Sequence, residues 1–102
     1  MIHYIETAAD PHAKDFLAYC AAHGNEHDES YVPGTEWQFG GDYPSFVMLG
    51  ADGFVRGVAA AMTGGSYRAA RRARVAILHV TGDVLPDDYR SLLAAVAGKI
   101  AV

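Results

Sequence analysis

Residues 45–63 read SFVMLGADGFVRGVAAAMT. This stretch constrains the fold more than any other. Two apolar runs flank Gly50-Ala51-Asp52-Gly53, the pattern of two strands joined by a tight turn. The second run is rich in small residues. Gly57, Ala59 and Ala61 fall on one face of an extended chain, where small side chains let another layer or a ligand approach closely. A third extended run, RARVAILHV (72–80), follows the connection GGSYRAAR. It ends apolar on both faces, which predicts a central position in the sheet.

The segments before and after are helical in pattern, apart from an opening strand. Ile2–Glu6, IHYIE, alternates apolar and polar as a first strand. Asp10-Pro11 is a helix start, with aspartate as N-cap and proline at the first helical position. Ala13, Phe16, Leu17 and Cys20 then share one helical face. Gly24 is the expected stop, with His23 in the last turn. Asn25–Tyr31 predicts one or two further turns, ended by Pro33. Gly34–Pro44 predicts a loop held by Trp37 and Phe39, whose aromatic rings, with Tyr43, pin it to the core. After a turn at Gly82–Pro86, Asp87 and Asp88 open a last helix, where negative charge is favoured. Tyr89, Leu92, Leu93 and Val96 give its apolar face, Gly98 is its expected end, and KIAV could begin a further strand.

The fold class expected is α/β in the α+β sense. It is a mostly antiparallel mixed sheet with packed helices, in the order β-α-α-β-β-β-α, forming one domain over residues 1–102. With 102 residues, 51% hydrophobic and 20% charged, the chain has an ordinary globular composition. A net charge of -4 gives no long-range attraction to nucleic acid or an anionic membrane. The single cysteine, Cys20, excludes an intrachain disulfide and reads as a small core residue. No signal peptide opens the chain and no apolar run is long enough to span a membrane, so the expected location is the cytoplasm.

Two clusters bear on chemistry. AAHGNEHDESYVPG (21–34) crowds His23, Glu26, His27, Asp28 and Glu29 together. Three readings stay open at this level. His23 and His27 could face one metal ion, although Gly24 breaks the helix between them. An acidic side chain or His27 could serve as a general base toward an amine. The segment could also be a solvated acidic helix anchored by Tyr31. No metal site is expected. Arg68, Arg71, Arg72 and Arg74 form the basic cluster. It reads as a solvated hairpin end with stems over apolar neighbours, or as partners of Glu26, Asp28 and Glu29.

EHDESYVPG, then SFVMLGADGFVRGVAAA, then RARVAILHV, in this element order, resembles the first part of the GNAT superfamily of N-acetyltransferases. The resemblance runs along nearly the whole chain. It implies acetyl transfer from acetyl-CoA to a small-molecule or peptide amine. It implies an acceptor site bordered by His27, Asp28 and Tyr31, with Glu26 or Glu29 as base and His79 near the thioester. The pantetheine arm would pair with backbone groups at Leu78, His79 and Val80. The pyrophosphate would sit on the next loop, at Gly82 and the helix N-terminus. The family's loop has the form Arg/Gln-x-x-Gly-x-Gly/Ala. Here it reads TGDVLPDDY, with one glycine, no basic residue and the aspartates Asp83, Asp87 and Asp88. Carboxylates there repel a pyrophosphate. The alternative is therefore a non-catalytic binding or dimerisation module that keeps the sheet and has lost the coenzyme loop. Its expected partner is a second copy of the chain or a second GNAT domain.

Overall fold

The computed structural model describes residues 1–23, 37–64 and 74–100. Strand β1 (Ile2–Ile5) leads into helix α1 (Pro11–Ala22). Strands β2 (Ser45–Leu49), β3 (Val55–Met62) and β4 (Arg74–Val80) follow, and helix α2 (Pro86–Ile100) comes last. The short helix expected over 25–31 lies outside the described residues.

The four strands form one sheet in the order β1-β2-β3-β4, each neighbouring pair antiparallel. The sheet described here is thus wholly antiparallel rather than mixed. The hairpin turn is as the sequence implied. Gly53 N–H donates to the Gly50 carbonyl at 2.9 Å, and Gly53 adopts φ 84°, open to glycine at little cost. Bulges interrupt the register between Met48 and Leu49 and between Ala60 and Ala61.

Each face of the sheet carries a helix. Alternation along the strands sends Ile5, Val47, Val58, Ala60 and Ile77 to one side, where Phe16, Tyr19 and Cys20 of α1 meet them. Phe46, Met48, Ala59 and Ala61 go to the other, against Leu92 and Val96 of α2. Ala59 and Ala61 of β3 are therefore packing residues that let α2 lie close, while Ala60 packs on the α1 side. A Cβ on Gly57 would stand 2.8 Å from Val80 Cγ1, so the strand is as narrow as its neighbours require.

Among the described residues β4 is the outer strand of this three-layer arrangement, where the sequence implied a central one. Its two apolar faces lie between the helix layers above and below the sheet. The structure also corrects the end of the chain's last helix. The residues Gly98, Lys99 and Ile100 continue α2 and begin no strand. Ile100 packs on the second core cluster, and Lys99 Nζ lies 4.2 Å over the Tyr4 ring. These contacts offset the ~1 kcal/mol that a helical glycine costs.

Helix α1 starts where expected. Asp10 accepts from His12 N–H at 2.8 Å and pairs with His3 Nε2 at 2.7 Å. The His12 amide, and then His3, hold its carboxyl below the ordinary carboxylate range. The helix ends at Ala22 with His23 as C-cap, before the glycine expected to stop it. Leu17 is only partly buried, and Tyr19 takes its place in the core. Cys20 is 1% exposed, and burial pushes its thiol up to about 12. A disulfide-exchange reagent should therefore react slowly with native protein and rapidly in denaturant. Equal rates in both would place the thiol at the surface.

Candidate functional site

The strand end that carries His79 is the best-defined candidate site among the described residues. Val58 pairs with His79 across β3 and β4, so the imidazole points to the α1 face. There its Nδ1 lies 2.7 Å from the Tyr19 hydroxyl. When the tyrosine donates, the imidazole carries its own proton on Nε2. The His23 ring lies 4.3 Å from that of Tyr19 and 4.8 Å from that of His79. Three polar rings thus meet where α1 ends and β4 ends.

The backbone beside this cluster has a definite direction. Thr81 N–H donates to the Arg56 carbonyl at 2.8 Å. Peptide groups alternate along an antiparallel strand, so those of His79 also face β3, and those of Leu78 and Val80 face away from it. Among the described residues no strand pairs with that outer edge.

The following turn is acidic. Val84 N–H donates to the Thr81 carbonyl at 3.1 Å, and Thr81 Oγ1 donates to Asp83. The Thr81 hydroxyl, the residue's own amide and the Arg56 guanidinium hold the Asp83 carboxyl below its ordinary range. It is a charged carboxylate at neutral pH. Gly82 has no heavy atom within 4 Å of where a Cβ would stand and no positive φ, so the turn does not require glycine there.

Arg56 is the residue that sequence reasoning missed. It sits at the hairpin bulge, bonds Asp52 at 2.6 Å and lines the same cavity as Asp83, on whose carboxyl its charge acts. The basic group near the turn thus comes from β3, a pairing that no local spacing could reveal. Tyr19 was missed too, although it stands three residues after Phe16, on the same helical face. Arg56, Asp83 and Asp88 also rim a cavity of about 520 Å³ whose apolar floor includes Met1, Ile2 and Met48. This cavity opens on the α2 side, across the sheet from His79.

Glu26, His27, Asp28, Glu29 and Tyr31 lie outside the described residues, as do Arg68, Arg71 and Arg72. Trp37, Phe39 and Tyr43 pack on the first core cluster and hold their loop there. Among the described residues no group of three His, Cys, Asp or Glu side chains is placed to hold a metal ion. No described helix is long and apolar enough to cross a membrane. Comparison of the chain with protein-family models, curated proteins and solved structures finds no match.

Proposed function

We propose that this chain is an acetyl-CoA-dependent N-acetyltransferase domain of the GNAT type, acting on a small-molecule or peptide amine. The observation that carries this reading is the outward direction of the Leu78 and Val80 peptide groups beside the Tyr19–His79 pair. A pantetheine arm offers amides that can bond such an edge as a strand would. The acceptor amine attacks the thioester carbonyl carbon, and the C–S bond then breaks. Glu26 or Glu29 takes the amine's proton, and the leaving thiolate is protonated from the hydrogen-bonded Tyr19–His79 pair. His27, Asp28 and Tyr31 border the acceptor, and Gly82 lies at the pyrophosphate turn.

One observation favours a second reading. Asp83 is held ionised in that turn, and Arg56 already pairs with Asp52. A pyrophosphate would meet a carboxylate there. In the second reading the domain keeps the sheet for binding or dimerisation and has lost the coenzyme.

Thermal unfolding with and without acetyl-CoA separates the two. A ligand that binds only the folded state stabilises it by about 2.7 kcal/mol at a hundredfold excess over Kd. In a chain of this size that raises the midpoint by roughly 10 °C or more. A rise that grows with the logarithm of concentration is the expected result. An unmoved midpoint at millimolar acetyl-CoA sinks the enzyme reading and leaves the binding module.

A further inference from the structure

The cavity on the α2 side has a wall made entirely of described residues. Its volume of about 520 Å³ is that of a small-molecule site, which spans roughly 300–1,000 Å³. It opens where the hairpin is bulged. Leu49 pairs with Val55 and Met48 with Gly57, so Arg56 is the extra residue of β3. A bulge breaks the alternation of a strand and re-aims the residues beside it. Met48, Leu49 and Arg56 all line the cavity.

The wall has two chemically distinct parts. Its floor is apolar. Met48 is buried, and Ile2 and Val84 pack on the same core cluster. Met1 and Leu85 stand at the mouth, 78% and 65% exposed although both side chains are large and apolar. The rim is acidic. Asp83 lines it from the turn, and Asp88 from the first turn of α2. The cations beside them are engaged. Arg56 bonds Asp52 at 2.6 Å, and the Met1 amine donates to the Leu49 carbonyl at 2.9 Å. Among the described residues no side chain bonds the Asp88 carboxylate.

We propose that this cavity binds a small molecule with an apolar body and a primary ammonium group. The body covers Met48, Val84 and the exposed Leu85, and the apolar area it removes from water drives binding. The ammonium meets Asp88 and Asp83 at the rim. A carboxylate or phosphate ligand would meet the same two groups as like charges. Arg56 does not reverse the preference, because its charge is shared between Asp52 and Asp83. The inference goes beyond the acetyltransferase reading and does not rest on it. The Tyr19–His79 pair lies across the sheet, on the α1 side.

Titration of the isotope-labelled chain with phenethylamine, followed by the shifts of its amide resonances, tests it. Phenethyl alcohol and hydrocinnamate serve as the neutral and anionic comparators. The expected result is saturable binding of the amine with a Kd on the order of 1 mM or tighter. The shifts should centre on Met48, Val84 and Asp88. The amine should bind several-fold more tightly than the alcohol, and the carboxylate least tightly. Asp83→Asn and Asp88→Asn, both at exposed positions, should together remove the amine's advantage and leave the alcohol's affinity unchanged. Equal binding of amine and alcohol overturns the ammonium site, and so does an advantage that survives both substitutions. Absence of saturation by the amine overturns the proposal outright, and shifts centred on Tyr19 and His79 overturn its location. Acetyl-CoA binding is read separately, by the unfolding midpoint, so the two readings fail independently.

Discussion

Phe16→Ala should lower the unfolding midpoint by more than roughly 12 °C, or leave the chain unfolded at room temperature. Phe16 is 0% exposed in the layer between α1 and the sheet. Its ring stacks against Trp37 at 6.3 Å and meets Phe39 edge-on at 5.4 Å. Truncating a buried phenylalanine costs about 3–5 kcal/mol, part in lost transfer and part in the cavity left behind. Domains of this kind hold only ~5–15 kcal/mol in total. Each kilocalorie moves the midpoint by about 4–8 °C at this size. The chain has one tryptophan, which makes the local effect readable. Trp37 Nε1–H donates to Ser45 Oγ at 3.0 Å, and Ser45 donates to the Tyr43 carbonyl at 2.8 Å. Loss of the Phe16 ring removes one wall of the tryptophan's site, so emission should shift to the red in whatever fraction stays folded. A variant with unchanged midpoint and emission would mean that α1 does not pack on this loop.

Gly40→Ala should destabilise by on the order of 3 kcal/mol, far more than Gly41→Ala next to it. Both glycines have positive φ, 76° and 54°. That conformation alone costs an alanine about 1–2 kcal/mol. The difference lies in what a Cβ meets. At Gly41 no heavy atom lies within 4 Å. At Gly40 the Cβ would be driven into the carbonyl oxygen of Glu6. That oxygen belongs to the backbone just after β1 and cannot swing aside as a flexible side chain would. Gly40 therefore joins the aromatic loop to the end of β1, while its carbonyl accepts from Tyr43 N–H at 2.9 Å. Denaturant titration of both variants checks this. Equal losses in the two would show that the backbone angle, and not the close approach, makes glycine necessary.

Much of the architecture was legible because it depends on local periodicity. The Asp10-Pro11 start, the hairpin around Gly50–Gly53 and the strand ending at Val80 are written in spacing and turn chemistry. So is the burial of Cys20. The readings that failed share one cause. Apolarity on both faces of 72–80 suggests a central strand, but two helix layers produce the same pattern on a strand that is outermost among the described residues. Tyr89, Leu92, Leu93 and Val96 look alike on a helical wheel, so the sequence places all four on the buried face. The sheet fully buries only Leu92 and Val96 among the described residues of this helix. Gly98 looks like a stop, yet contacts made by Lys99 and Ile100 carry the helix past it.

The candidate site divides the same way. His79 stood out because a polar ring among apolar strand residues is visible in one dimension. Its partner Tyr19 lies 60 residues away, and no pattern in either segment announces the other. Arg56 and Asp83 come to line one cavity for the same reason, through the pairing of β3 with β4. By itself, then, the sequence determined which segments are strands and helices, where they begin, and which faces are apolar. These follow from φ/ψ preferences and from side-chain periods of 2 and 3.6, which act over a few residues. Only the tertiary structure decided which strand lies at the margin, which apolar residues stay uncovered and which polar rings touch. Those depend on how three layers of unequal width fit together, and that fit is a property of the whole chain.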